Sequence, residues 1–445
     1  MEKGSKDSMK IVILNMSDAR NKGDLAILES TVGLLRKSYP QSSISLFNID
    51  YSQSEVDRPE WANDLSQIRL ESHYGSFFPR VFTGRGTAKD FIRAGLKLIQ
   101  CLWTAAAVFF LRSRACILLA NSLEDKVREL IAADLVIVKG GGYLYSFGGS
   151  EQLLYLARHL FPVLLSLRLK KKVLALGHSI GPFHGSLARG WAGFCLRRMD
   201  TVVVRDDPSY NLIRGEMGLA EDRAVLLPDL AFWTGPERTE REESTLEYIL
   251  KKEGIKLNRQ PRLYVGLTVR RFRKWHFPDC PDPEQLYQNY INAISQAIEY
   301  LAREHGARIF IMPHAREDLP TGEEVGRRSR AADPILLKGN YGQMTLRSLY
   351  RRMDFFIATR IHSALFALGE GVPTLAIGYE MPKALGIVGM AWKEDAVLDV
   401  RRLTEAGLRK KIDQILKEGS RPRRIISQRV INLRHQIETA ISRIL

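Results

Sequence analysis

The tetrad Arg360-Ile361-His362-Ser363 stands between an apolar, β-branched run, Phe355–Thr359, and a helical one, Ala364–Glu370. That order puts His362 and Ser363 at a helix N-terminus, where unpaired N–H groups and the helix dipole favour an anion. An imidazole there feels two opposed influences. The dipole disfavours its cationic form, and a bound phosphate or carboxylate favours it, so His362 can titrate near neutral pH and act as a general acid. Other polar residues also follow apolar runs. Asn21 and Asp24 come after Ile11–Leu14, Gly140–Gly142 after Leu135–Val138, and His178 lies in Gly177–Pro182 after Val173–Leu176. Arg205 follows Thr201–Val204, Arg270 follows Leu263–Val269, His314 follows Arg308–Met312, and Lys383 lies beyond Thr374–Ile377. Cations or histidines after strand upon strand in the second half imply an anionic ligand.

Each of these residues has a plainer alternative. Ser363 can serve as a helix cap and His362 as a packing residue. Arg205 and Arg270 can be salt-bridged structural arginines, and Asp24 a cap for the helix expected over Leu25–Lys37. The glycines of Gly140–Gly142 suit close approach to a ligand or a tight strand-to-helix turn equally. They lack both the Lys-Ser/Thr of a phosphate-binding loop and the full G-x-G-x-x-G spacing. Trp275, in the loop Arg271–Asp282, can stack on a sugar ring or anchor the loop. His178 is a structural residue or part of an acceptor pocket, and His314 lines a cleft or caps the next element.

Short apolar runs alternating with helical stretches predict parallel sheets with helices on both faces, in which ligands bind beyond the carboxyl ends of the strands. The pattern runs once through residues 9–234, breaks at a charge-rich linker over 235–260 that includes a short helix, and restarts over 261–400. Helices are expected over 401–445. The fold class is therefore α/β, with two doubly wound Rossmann-like domains facing a cleft. A length of 445 residues suits two domains of about 150–220 residues each.

With 66 Lys+Arg against 50 Asp+Glu the chain is strongly basic. The basic clusters lie apart, and no basic-aromatic recognition motif accompanies them, which argues against nucleic acid as a partner. The cysteines Cys101, Cys116, Cys195 and Cys280 have neither metal-ligand nor disulfide-framework spacing, and no metal is expected. With a polar N-terminus lacking a signal core, they suit a cytoplasmic protein. An insert-like stretch, about 74–122, carries the apolar segment Leu98–Leu111 flanked by Arg93, Lys97, Arg112 and Arg114. That segment is too short to span a bilayer, which takes about 20 residues. It is either a buried or lid helix or one lying on an anionic membrane surface.

Taken in order, the motifs resemble those of the polysaccharide pyruvyltransferase family. They are Asn21–Leu28, Asp134–Gly142, Gly177–Pro182, Val204–Ser209, Pro228–Ala231, Arg360–Ser363 and Gly371–Pro373 through Gly378, Tyr379 and Lys383. The resemblance covers nearly the whole chain and implies a glycosyltransferase-B-like pair of domains with phosphoenolpyruvate as co-substrate and no cofactor. It implies donor binding by Arg205, His362 and Lys383, to which Arg270 and Ser363 are added as candidates. His362 is the expected proton donor. Asn21, Asp24, Gly141, His178 and Trp275 are the expected acceptor side. The acceptor is a lipid-linked, nucleotide-linked or polymeric sugar, and the protein can be an oligomer. A carboxylate and a phosphate close together call for several cations, Arg for bidentate clamping and Lys as a point charge.

Two other readings remain open on the sequence. One is a nucleotide-sugar glycosyltransferase of the same architecture, since Glu370-Gly371-Val372-Pro373 before a strand suits both. The other is a non-catalytic, membrane-surface glycan-binding protein.

Overall fold

The computed structural model describes residues 9–17, 21–50, 70–77, 88–119, 122–233, 241–255, 262–272, 277, 279–339 and 341–445. It divides into two compact units, Met1–Leu230 with Glu438–Leu445, and Ala231–Ile437.

The first unit runs β1 (Lys10–Met16), α1 (Lys22–Ser38), β2 (Ser43–Asn48), β3 (Ser72–Tyr74), α2 (Ala88–Leu111), α3 (Ser122–Ala132), β4 (Leu135–Ser146) and α4 (Ser150–Arg168). It continues through β5 (Lys172–Phe183), α5 (Ser186–Leu196), β6 (Thr201–Val204), α6 (Asp207–Asn211) and β7 (Ala224–Leu226). All its strands pair in parallel, in the order β3-β2-β1-β4-β5-β6-β7.

The second unit runs α7 (Arg241–Lys252), β8 (Leu263–Thr268), α8 (Pro283–His305), β9 (Ala307–Ile311), α9 (Leu319–Arg328), β10 (Ile335–Leu336), α10 (Gln343–Arg351) and β11 (Phe355–Ala358). After these come α11 (Ile361–Gly369), β12 (Thr374–Gly378), α12 (Met381–Ala391), β13 (Val397–Asp399), α13 (Glu405–Lys417) and α14 (Arg421–Ile444). Its sheet is also parallel, in the order β10-β9-β8-β11-β12-β13.

Strands covered on both faces read as continuous apolar runs. Ile11–Leu14, Val136–Val138, Val173–Ala175 and Val202–Val204 are all at most 1% exposed. The helices start and stop by local chemistry. Asn21 caps α1 by accepting from the Gly23 N–H at 3.2 Å. Asp282 caps α8 with Pro283 in its first turn, and Gly306, at φ 60°, ends it. In each sheet the order reverses direction beside the first strand, between β1 and β4 and between β8 and β11. The loops part there, and such a switch point is where an open α/β sheet takes its ligand.

The glycine run lies inside β4, rather than in a turn after it. β4 continues to Ser146 against β5, with irregular register between Gly141 and Leu144. A Cβ on Gly140 would come within 2.3 Å of the Leu176 carbonyl oxygen and 2.5 Å of that of Gly177. The glycine is therefore required by strand-to-strand approach. The charge-rich stretch over 235–260 holds α7, which belongs to the second unit. The end of α14 returns to the first unit, where the Tyr39 hydroxyl donates to the Leu445 carbonyl at 2.5 Å and Lys37 pairs with Glu438.

The contrast between two glycines tests this packing. Gly140→Ala must force β4 from β5 and should lower stability by at least about 2 kcal/mol. Gly190, in α5, has open space around it, and Gly190→Ala should be neutral or stabilising by up to about 1 kcal/mol. Urea titration of both variants measures the difference; equal stabilities would contradict the close approach.

Candidate functional site

In the second unit the loop from β11 into α11 is held by a buried ion pair. Arg360 donates to Asp318 through Nε at 2.8 Å and Nη2 at 2.6 Å, and Nη2 also reaches Glu317 at 2.6 Å. Asp318 is 1% exposed, and it also accepts from the Ala315 N–H at 3.0 Å. Burial alone would lower the Arg360 pKa, but the adjoining Asp318 and Glu317 raise it overall. The guanidinium stays charged and fixes the backbone from which α11 starts.

Ser363 lies in the first turn of α11 and is fully buried. Its hydroxyl donates to the Arg360 carbonyl at 2.6 Å and sits 2.6 Å from the Thr268 hydroxyl. A hydroxyl has one proton, so Thr268 must be the donor in the second bond. Ser363 thus ties α11 to the end of β8. Its hydroxyl, expected at the donor, is committed on both sides and its N–H donates to the Arg360 carbonyl at 3.0 Å, so what this turn offers an anion is chiefly its dipole. His362, half-buried, occupies the same turn.

Arg270, just past β8, donates to the Tyr379 hydroxyl at 2.5 Å with its guanidinium 4.6 Å from that ring's centre. Burial raises the Tyr379 pKa against the opposing influence of Arg270, which keeps the phenol neutral. Lys383, in the first turn of α12, pairs with Glu380 at 3.0 Å. Lys383, Tyr379, Glu380, Gly378, Thr359 and Ile361 line one crevice at the carboxyl ends of β11 and β12. The structure thus brings the starts of α11 and α12 together with Tyr379, and Arg270 through it. Behind them Tyr290 and Thr359 share a buried hydroxyl–hydroxyl bond of 2.8 Å. His314 is 2% exposed and packs against Phe366.

In the first unit Asp24, in the first turn of α1, gathers donors. Ser17 reaches it at 3.0 Å, the Asn21 amide at 2.7 Å and the Lys139 ammonium at 2.9 Å. Lys139 is completely buried and Asp24 keeps 18% of its side chain exposed, so the pair presents one carboxylate edge. Gly141 lies beside it: a Cβ there would meet Asp24 Oδ1 at 3.4 Å and the Tyr143 ring at 2.9 Å.

His178 does not join that surface. It is 0% exposed, its Nε2 lies 3.1 Å from the Val138 carbonyl, and its ring packs edge-on against Tyr143. Burial pushes its pKa down to about 3, so it is neutral and holds β5 to β4. It has no surface to give an acceptor, which corrects the acceptor role expected for it. Arg205 is 2% exposed; it donates to Asp229 at 2.6 Å and to Ser179 at 2.8 Å. Ser179 in turn donates to Asp206, the cap of α6. Two of the Arg205 guanidinium nitrogens are therefore occupied within the first unit. Trp275 lies outside the described residues. Among the described residues no group of three or more His, Cys, Asp or Glu could hold a metal ion.

Lys139, Asp318, Thr268 and Tyr379 were not singled out as site residues by the sequence. Asp318 gave one usable signal, an acidic pair following a strand end with an unpaired arginine, Arg360, still to be placed.

Parallel sheets with these strand orders, in two successive units, define a protein of the glycosyltransferase-B fold class. A glycosyltransferase from Rickettsia africae matches with a TM-score of 0.56 at 11% identity, covering 98% of this chain and 97% of that one. The UDP-GlcNAc 2-epimerase of Neisseria meningitidis matches with a TM-score of 0.54 at 11% identity, over 96% and 99%. At that identity the likeness is one of fold. The sequence family described as polysaccharide pyruvyl transferase matches residues 21–381, and the chain belongs to it. The amylovoran biosynthesis protein AmsJ of Erwinia amylovora is 23% identical over 303 residues, 66% of this chain and 67% of that protein.

Removing one partner of a buried pair is far costlier than weakening an exposed one. Asp318→Asn should lower stability by about 3 kcal/mol, whereas Glu317→Gln, at a carboxylate 50% exposed, should change it by less than about 1 kcal/mol. Thermal unfolding of the two variants checks this, and similar losses would contradict the assignment of Asp318 as the residue that holds Arg360.

Proposed function

We propose that the chain transfers the pyruvyl group of phosphoenolpyruvate to two hydroxyls of a sugar, forming a pyruvate ketal in a surface polysaccharide. The observation that carries the reading is the match of the pyruvyl transferase family from Asn21 to Met381, which includes both Asp24 and the α11 turn. The geometry of the second unit supports a compact dianion. Arg360 and Arg347 are consumed by carboxylates that are 1% and 2% exposed. Lys383, by contrast, is held by Glu380 at 46% exposure within its own turn, and such an i,i+3 pair is worth only about 0.3–0.5 kcal/mol. Arg270 rests on a neutral phenol. Lys383 can reorient to a ligand's charges at small cost.

In the proposed reaction His362 protonates C3 of phosphoenolpyruvate, which leaves an oxocarbenium-like centre at C2. One sugar hydroxyl attacks C2, phosphate departs, and a neighbouring hydroxyl closes the ketal. Of the two hydroxyl protons, one restores His362 and the other leaves with phosphate, so no oxidant or cofactor is needed. Arg270, Lys383 and the first turn of α11, which holds Ser363, would bind the donor. Asn21, Asp24 and the backbone at Gly141 would bind the acceptor, the carboxylate edge of Asp24 taking a sugar hydroxyl. The nucleotide-sugar alternative gains nothing from Glu370, because Arg347 holds one of its oxygens at 2.8 Å and Arg351 the other at 2.9 and 2.8 Å. The four free cysteines suit a reducing cytoplasm.

The test is the thermal midpoint with phosphoenolpyruvate or with UDP- and GDP-sugars, for the wild type and His362→Ala. A ligand at 100 times its Kd adds roughly 2.7 kcal/mol. Phosphoenolpyruvate alone should raise the midpoint, and less so in the variant. Stabilisation by a nucleotide sugar alone would overturn the donor assignment.

A further inference from the structure

One face of the first unit is apolar, open and basic, and neither the donor chemistry nor the fold accounts for it. α2 has two apolar sides. Cys101, Ala107 and Val108 are buried in the unit's core together with Phe77, Val138 and Phe161. On the opposite side Ile99 and Leu102 are each 63% exposed, Trp103 54%, and Phe110 77%. The apolar stretch extends past the Leu111 end read from sequence, through a 3-10 turn, Arg112–Leu118, in which Ile117 is also 77% exposed. A groove of about 460 Å³ opens beside α2 and is shared with α4 and α5, with Ala106, Phe109, Leu164, Leu167 and Phe194 among its walls.

The charged side chains that line the groove, Arg168 and Arg198, are both basic. Between Asp90 and Glu124 the sequence carries Arg93, Lys97, Arg112 and Arg114 and no acidic residue. Between Glu151 and Asp200 it carries Arg168, Lys170, Lys171, Lys172, Arg189, Arg197 and Arg198, besides Arg158, which is buried and paired with Asp50, and again no acidic residue. Arg168 and Arg198 stand at the groove itself, their guanidinium groups 4.7 Å from the Phe109 ring centre and 3.6 Å from that of Phe194. Arginines stacked on the rims of an apolar face place charge at headgroup level and rings below it.

Length and composition would let Leu98–Leu118 cross a membrane. The structure opposes that, because Arg112, at φ 50°, breaks the helix and the inner face is needed by the core. A symmetric pair of copies meeting here would bring the same arginines together, at a cost in repulsion. A bilayer with anionic headgroups satisfies both the apolar face and its basic rim.

We propose that the α2–α4–α5 face of the first unit docks on an anionic lipid surface, with Ile99, Leu102, Trp103, Phe110 and Ile117 entering the headgroup–acyl boundary. This docking stands apart from the donor assignment. It would hold the protein where lipid-borne acceptors are presented.

The test is co-sedimentation of the full chain with phosphatidylcholine vesicles and with mixed phosphatidylcholine–phosphatidylglycerol vesicles. Binding should be at least about tenfold tighter to the anionic vesicles and weaken as salt is raised. Arg112→Glu with Arg114→Glu should abolish that preference. Ile99→Ser with Phe110→Ser, at outward positions, should lose vesicle binding while keeping the wild-type thermal midpoint. Equal affinity for neutral and anionic vesicles would overturn the proposal, as would no binding to either. A concentration-dependent dimer that the serine substitutions dissociate, without vesicle binding, would overturn it in favour of an interface between copies.

Discussion

A cation withdrawn from water beside a parallel strand must meet a carboxylate there, or it destabilises the fold. Both units are organised around that constraint. Lys139 meets Asp24, Arg205 meets Asp229, Arg360 meets Asp318 and Arg347 meets Glu370, each pair at 2.6–2.9 Å with at least one side chain 2% exposed or less. These pairs hold the loops leaving β1, β6 and β11 and the turn after α11. A basic residue at the end of a strand here either holds a loop through a buried carboxylate or is left in a weaker pairing. Only the geometry separates the two groups. Arg205 and Arg360 hold loops through buried carboxylates, while Lys383 pairs with a half-exposed Glu380.

The same division explains what the α11 turn contributes. Arg360 fixes the turn from one side through Asp318, and the Thr268–Ser363 bond fixes it from β8 on the other. Neither side chain is then left to bind a ligand, and their service is to keep the helix start rigid. Preorganised N–H groups and a helix dipole stabilise an anion more effectively when they need not rearrange to meet it. His362 is thereby carried on a fixed backbone, the arrangement that the proposed proton transfer calls for.

Much of this was legible in the sequence. Strands buried on both faces are written as apolar runs, so β1, β4, β5, β6, β8, β9, β11 and β12 could be placed. The short strands β3, β7, β10 and β13 carry too few residues for any periodicity to show. Gly140–Gly142 suit close approach and a tight turn equally in the sequence, and only the approach of Leu176 and Gly177 shows that the strand continues. His362 was placed at a helix start because a strand, a polar turn and an apolar helix follow one another within a few residues. Ion-pair partners were not legible, since 42 residues separate Arg360 from Asp318 and 115 separate Lys139 from Asp24. His178 looked like a site residue for the same reason: what buries it, Val138 and Tyr143, is remote in sequence and adjacent only in the sheet.

Isotope labelling tests the proposed group transfer from phosphoenolpyruvate most directly. The chain is incubated with carbon-13-labelled phosphoenolpyruvate and a surface-glycan repeat unit, and both the released phosphate and the label on the sugar are followed by NMR. Pyruvyl transfer predicts equimolar phosphate and a labelled ketal carbon bonded through two sugar oxygens, with both signals lost together in His362→Ala. Labelled phosphoenolpyruvate left intact, while a nucleotide sugar supplied alongside it is consumed and its nucleotide released, would contradict it.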